Sequence, residues 1–170
     1  MKKCKPLLIT LLLLIGPFVQ QVTAQDVDKV QAIFIVNFTK YIQWPEKADA
    51  SMTVGVFGNS RVLLELESLI TKKPDLKLSV IKIVSSEEVD QCDIIFVPEE
   101  QYKNLGTIAA AVQGNPVLVV TETDEPIHNN QGGIGFYLDN SKLKFTINRG
   151  QIENKSMKVS NNLLGLAKVI

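Results

Sequence analysis

Four short apolar runs, each bounded by turn-forming or polar residues, constrain the fold of this chain most strongly. They occupy residues 52–57, 76–84, 92–97 and 117–120. Runs that are apolar on successive residues are typical of strands covered on both faces, as in the middle of a parallel sheet. Segments with helical spacing separate the runs, and strands that alternate with helices predict an α/β fold with a mostly parallel sheet.

The segments between the strands carry helix signals. Ser60 follows the turn residues Gly58 and Asn59, and it is a suitable N-cap for a helix whose apolar residues share one face. Residues 85–88 open a short helical turn, and residues 99–113 form a longer helix that ends before Gly114-Asn115-Pro116. Helices of this kind cover the two faces of the predicted sheet.

The pattern changes after residue 121. Residues 122–133 are a polar loop, and residues 134–138 and 142–147 then form a β-hairpin joined by a tight turn. Ser160 caps a last short helix over residues 161–170. The predicted fold is therefore α/β and three-layered, with helices on both faces, a C-terminal antiparallel hairpin and a short terminal helix.

The first 24 residues have the features of a secretory signal peptide. Lys2, Lys3 and Lys5 precede a nine-residue apolar run, and Ala24 supplies the small residue at a cleavage site. The apolar run is shorter than the ~20 residues that cross a bilayer. We therefore predict export, cleavage after Ala24, and a single domain over residues 25–170.

The charge and the cysteine content narrow the function further. The first 24 residues hold three of the 18 basic residues and none of the 18 acidic ones, so the remaining chain has a net charge near −3. This balance argues against nucleic-acid binding. Cys92 is the only cysteine after residue 24, and its apolar strand predicts a small buried hydrophobe with an inert thiol.

The helix that opens the mature chain suggests a contact surface. Residues 34–45 are the densest aromatic and apolar segment and end in Trp44-Pro45, so the helix should stop at Gln43 or Trp44. Its apolar surface is wider than one sheet face covers. We predict that Lys40, Tyr41 and Trp44 approach a dimer mate or a regulated protein. The alternative is that Lys40 only extends its ammonium group into water.

A second candidate site is the crevice at the carboxyl ends of the strands, where open α/β sheets bind ligands. Gly58 and Asn59 follow the first strand, and Asp124 and His128 follow the fourth. The sequence lacks the glycine-rich phosphate-binding motifs, and a single histidine without cysteine partners does not match a zinc site. No catalytic constellation, metal site or cofactor is predicted.

The motifs together resemble the YfiR-like family of small exported bacterial proteins. The resemblance rests on the apolar helix that closes on Trp44-Pro45, on Cys92-Asp93, and on the apolar strand over residues 116–120. Near the C-terminus it rests on the motifs Lys144-Phe145-Thr146-Ile147-Asn148 and Val159-Ser160-Asn161-Asn162-Leu163-Leu164-Gly165-Leu166-Ala167.

The resemblance implies a periplasmic α/β domain that is often dimeric. Its best-understood member represses a membrane-bound diguanylate cyclase and so lowers cyclic di-GMP. Two departures are visible. Paired cysteines of some members are absent, so redox control through an internal disulfide does not carry over, and Asn161 replaces a serine.

Two functions from different classes remain open. The first is a non-catalytic regulator that contacts a membrane signalling protein, either a diguanylate cyclase or a sensor kinase. The second is a small-ligand-binding module that uses the crevice. A hydrolase or flavin enzyme on a flavodoxin-like sheet would rest on fold analogy alone.

Overall fold

The computed structural model describes residues 24–45 and 51–170, with side chains from residue 27 onward. The largest sheet has seven strands: β2 (Met52–Phe57), β3 (Leu78–Ile83), β4 (Ile94–Val97), β5 (Leu118–Thr121), β6 (Ile134–Asp139), β7 (Lys142–Ile147) and β9 (Lys168–Val169). Their order across the sheet is β3-β2-β4-β5-β6-β7-β9, and every neighbouring pair is parallel except the β6–β7 hairpin. A separate two-stranded sheet pairs β1 (Ile42–Gln43) with β8 (Lys158–Val159).

Helices lie on both faces of the large sheet, which confirms the predicted fold class. They are α1 (Ala24–Tyr41), α2 (Arg61–Lys72), α3 (Leu105–Ala111), α4 (Glu125–His128), α5 (Arg149–Glu153) and α6 (Asn161–Leu164), with 3-10 helices at Ser86–Gln91 and Glu99–Asn104. Strand β4 shows how the layers divide. Ile94 and Phe96 face the core beneath α1 and α2, whereas Ile95 and Val97 face the core beneath α3.

Helix α1 is fixed to the sheet by an aromatic cluster. The Phe38 ring lies 5.4 Å from the Phe145 ring in an edge-to-face arrangement, and the Phe34 ring lies 5.2 Å from the same ring. Phe38 and Phe136 are fully buried. Edge-to-face pairs add to the free energy that burial alone provides, so this cluster holds the first helix against the C-terminal hairpin.

The helix caps agree with the sequence predictions. The Ser60 hydroxyl accepts a hydrogen bond from the Val62 N–H at 3.2 Å and begins α2. Ser85 and Glu88 form a capping box at the first 3-10 helix. Each cap satisfies N–H groups that have no partner within the helix.

Three local predictions were wrong. Helix α1 ends at Tyr41, because Ile42 and Gln43 form strand β1 beside β8. The predicted polar loop after β5 contains the short helix α4. The predicted terminal helix stops at Leu164, and Lys168 and Val169 instead pair with β7 as an added parallel strand. At β1 and β9 a pairing between distant segments overrides the local pattern.

The predicted signal peptide lies almost wholly outside the described residues, as does most of the loop after Pro45. Within the part of the chain that the structure describes, no helix has the length and apolar character that a membrane crossing requires.

Candidate functional site

The end of α1 meets the C-terminal part of the chain at one corner of the molecule. Ile42 pairs with Val159 and Gln43 pairs with Lys158. The Ser160 N–H donates to the Tyr41 carbonyl oxygen at 2.9 Å. Two segments that carry the resemblance, one from each end of the chain, are thus joined by backbone hydrogen bonds.

We call the exposed side chains at this junction the corner surface: Lys40, Tyr41, Gln43, Lys158 and Asn161. They border a shallow groove of about 340 Å³. Tyr41 is 42% exposed. No hydrogen bond or ion pair joins the side chain of Lys40 or Tyr41 to another residue within the described ranges. These two side chains are therefore available to a partner.

Trp44 differs from its neighbours because it is only 5% exposed and belongs to the core beneath the corner. Its indole Nε1 is buried and has no hydrogen-bond partner among the described residues. The structure thus brings Lys40 and Tyr41 to the surface together, and places Trp44 under them.

The corner is held from the C-terminal side by helix α6. The Ser160 hydroxyl accepts from the Leu163 N–H at 3.3 Å, and Leu163 is buried in the same core as α1. This cap positions Asn161 at the start of α6, beside the corner groove.

The predicted crevice residues fall into two groups. Gly58 adopts a positive φ of 74°, and its N–H donates to the Ile83 carbonyl oxygen at 2.8 Å. The Asn59 side-chain oxygen accepts from the Lys82 ammonium at 2.7 Å. Both residues serve the turn between β2 and α2.

Asp124 and His128 form the other group. Their side chains contact each other, and that of Asp124 also contacts strand β7. The Asp124 carboxylate accepts from the buried Thr146 hydroxyl at 2.9 Å, and its oxygen lies 3.6 Å from the His128 Nε2. Asp124 thereby links helix α4 to strand β7. Among the described residues no group of three or more His, Cys, Asp or Glu side chains could hold a metal ion.

A groove of about 520 Å³ does lie at the carboxyl ends of β2, β4 and β5, and we call it the carboxyl-end groove. Asp28, Asn59, Arg61, Glu100 and Glu122 contribute its polar lining, whereas Asp124 and His128 do not reach it. Sequence reasoning missed Asp28, Arg61 and Glu100. Glu122 begins the polar stretch that the sequence places after the fourth strand, which is the signal for a position at a carboxyl end.

Burial governs the electrostatics of this groove. Burial raises the pKa of the Glu122 carboxyl, although a hydrogen bond from the Glu99 N–H at 2.8 Å partly opposes the effect. Burial also raises the pKa of Asp28, and the nearby Arg61 guanidinium opposes that shift. The Gln31 side chain, which is buried, donates to the Glu122 carbonyl oxygen at 3.4 Å. The groove is acidic but holds a cation of its own.

Cys92 lies outside both regions. It is 3% exposed, and burial raises the pKa of its thiol to about 11. A thiol in this state stays protonated and unreactive near neutral pH, in agreement with the sequence prediction.

Comparison of the sequence with known protein families gives a match that covers most of the chain. Residues 28–168 match the family described as YfiR/HmsC-like, whose members are generally periplasmic regulators of cyclic di-GMP signalling. No curated protein matches the chain. The match spans both segments that meet at the corner surface.

Proposed function

The chain belongs to the YfiR/HmsC-like family, and we propose that it represses a membrane-bound signalling protein by direct contact in the periplasm, without catalysis. A diguanylate cyclase is the first candidate for the partner, and a sensor kinase is the second. The proposal includes export, removal of residues 1–24, and a single domain over residues 25–170.

The corner surface is the observation that carries this proposal. Tyr41 and Lys40 are exposed at the end of a helix whose other side is packed against the sheet. Tyrosine is enriched at the centres of protein interfaces, because its ring provides contact area at low entropic cost and its hydroxyl forms a hydrogen bond. Lys40 and Lys158 add positive charge on either side of Tyr41. This arrangement suits an acidic or polar segment of a partner.

In this proposal the three predicted contact residues have different tasks. Lys40 and Tyr41 touch the partner or the second copy of a dimer, whereas Trp44 supports them from the core because so little of it is exposed. The backbone bonds between β1 and β8 keep the two halves of the corner in register. Preformed surfaces of this kind lose little conformational entropy on binding.

The deletion of the gene in the source bacterium tests the proposed activity. We expect cyclic di-GMP and surface attachment to rise, and the full-length gene in trans to return both to the wild-type level. A second strain carries the gene without codons 2–24, so the protein stays in the cytoplasm and should fail to complement. Unchanged cyclic di-GMP after deletion would rule out a diguanylate cyclase as the partner. Affinity capture from membranes that recovers neither a cyclase nor a sensor kinase would contradict the whole proposal.

The carboxyl-end groove favours a second candidate function, the binding of a small ligand. Buried carboxyl groups with raised pKa values, such as that of Glu122, occur often at binding sites. Thermal-shift measurements with peptidoglycan fragments, nucleotides and metal ions test this candidate. A ligand present at 100 times its Kd should add ~2.7 kcal/mol of stability, and the absence of any shift across the panel counts against it.

A further inference from the structure

A separate pocket lies at the opposite ends of the strands, where β5 and β6 begin. Its volume is about 460 Å³, which lies within the ~300–1,000 Å³ typical of small-molecule sites. The end of α3, the loop before β6, and helix α5 with the residues after it form its walls. Neither the corner surface nor the carboxyl-end groove shares a residue with this pocket, which we call the amino-end pocket.

Lys155 places a positive charge in the amino-end pocket. Its ammonium donates to the Val117 carbonyl oxygen at 3.0 Å, and burial lowers the pKa of the amine. No aspartate or glutamate is present in the described lining. An ammonium has three N–H donors, so one neutral carbonyl leaves both charge and donors unmatched.

Amide side chains line the same pocket as this charge. The lining includes five of them: Gln113, Asn130, Gln131, Gln151 and Asn154. Buried apolar residues form the rest of the wall, among them Val112, Ile152 and Met157. A pocket with one cation, several neutral hydrogen-bonding groups and an apolar wall matches a small organic anion that also has an apolar part.

Asn148 holds the walls of the pocket in place. Its side chain donates to the Asn130 side-chain oxygen at 2.9 Å and accepts from the Gln151 N–H at 3.1 Å. Its own N–H donates to the Gly133 carbonyl oxygen at 2.9 Å. Asn148 is only 9% exposed. One buried residue thus ties two walls of the pocket together, the loop before β6 and helix α5, by specific hydrogen bonds.

We propose that the amino-end pocket binds a small organic carboxylate, with its anionic group on Lys155 and its polar groups on the amides of the lining. A singly charged carboxylate matches the single cation of the described lining, Lys155, more closely than a doubly charged phosphate group does. The site would let a metabolite influence the same protein that contacts a partner at the corner.

Ligand-observed NMR on the full mature protein tests the proposal. The probes are benzoate, lactate, N-acetylglycine and gluconate, each paired with its primary amide. We expect saturation transfer from the protein to at least one of the acids and none to the corresponding amide. The amide keeps the shape of the acid but lacks its negative charge. This acid–amide comparison uses the wild-type protein, so it does not depend on the folding of any variant.

Two matched variants then locate the binding. Lys155→Gln removes the charge but keeps a hydrogen-bond donor for the Val117 carbonyl oxygen. It should raise the Kd for the acid about tenfold or more. Lys142→Gln changes an exposed lysine at the start of β7, which lines neither this pocket nor either groove, and it should leave the affinity unchanged. Circular dichroism confirms that both variants are folded.

Three binding results would overturn the proposal: no acid binds at millimolar concentration, amides bind as well as acids, or Lys142→Gln abolishes binding while Lys155→Gln does not. Chemical-shift changes at Gly132, Gln151 and Lys155 in the presence of the bound acid would support it. Shifts confined to Asn59 and Glu122 would place the ligand in the carboxyl-end groove and contradict it.

Discussion

The corner surface and the carboxyl-end groove use their polar residues in different ways. Near the carboxyl ends of the strands the predicted residues are already engaged, since Asn59 binds Lys82 and Asp124, which lies outside the groove, binds Thr146. At the corner, Lys40 and Tyr41 are exposed and unpaired within the described chain. The contrast teaches that the polar groups left without a partner after folding, rather than the usual ligand position of an α/β sheet, are the basis for the proposed contact site.

The largest expected effect separates the packed and exposed parts of helix α1. Phe38→Ala removes a fully buried ring from the aromatic cluster and should cost about 3–5 kcal/mol of unfolding free energy. Tyr41→Ala, three residues later, should cost less than about 1 kcal/mol. Urea denaturation followed by circular dichroism measures both. Equal losses of unfolding free energy would show that Tyr41 is a packing residue and would contradict the contrast between the packed and exposed parts of α1.

A smaller effect is expected at Asp124, which the contrast assigns to structure. Asp124→Ala leaves the buried Thr146 hydroxyl without its carboxylate acceptor and should cost about 1–3 kcal/mol. Glu125→Ala changes the exposed next residue, the first of α4, and serves as the control. If Asp124→Ala left the urea midpoint unchanged, the carboxylate would be free for a ligand after all.

The smallest effect concerns the pH dependence of stability. Burial raises the folded-state pKa of Glu122. At pH values between the unfolded-state and folded-state pKa, the folded protein therefore holds a proton that the unfolded chain has released. Stability should therefore fall as pH rises from the unfolded-state pKa of this carboxyl to its higher folded-state pKa. Glu122→Gln should flatten this dependence on pH. The change in unfolding free energy across the window should be smaller than the loss caused by Asp124→Ala. Urea midpoints at several pH values across this window measure it, and an identical slope in both proteins would refute the burial argument.

The elements that the sequence predicted correctly have strong local signals. Strand β2 and the hairpin follow from their apolar patterns and turn residues, and Ser60 caps α2 as its position before an apolar face indicates. Such signals depend on neighbours within one element, so they can be read without knowledge of the rest of the fold.

The errors fall where distant segments meet. Nothing near Ile42 and Gln43 indicates a strand, since it exists only because Lys158 and Val159 lie alongside. The apolar residues after Leu164 suit a helix, yet β7 offers Lys168 and Val169 a free strand edge. Pairings of two residues leave no periodic pattern in a sequence.

The candidate sites were predictable to different degrees. Lys40 and Tyr41 stand out because they end a helix that is largely apolar over its second half. Lys155 reads as an ordinary surface lysine, and Asn148 reads only as part of a motif. Their places in the amino-end pocket depend on contacts with Val117 and Asn130, which are distant in sequence.

The central claim is that the protein acts through the corner surface, and its most direct test is cyclic di-GMP in a deletion strain that expresses variants from one plasmid. Immunoblots of the periplasmic fraction confirm equal amounts of each variant.

We expect the double substitution Lys40→Glu and Tyr41→Ala to leave cyclic di-GMP as high as in the deletion strain. Asn59→Ala, in the carboxyl-end groove, should restore the wild-type level. Full repression by the corner variant, or loss of repression by Asn59→Ala alone, would contradict the account.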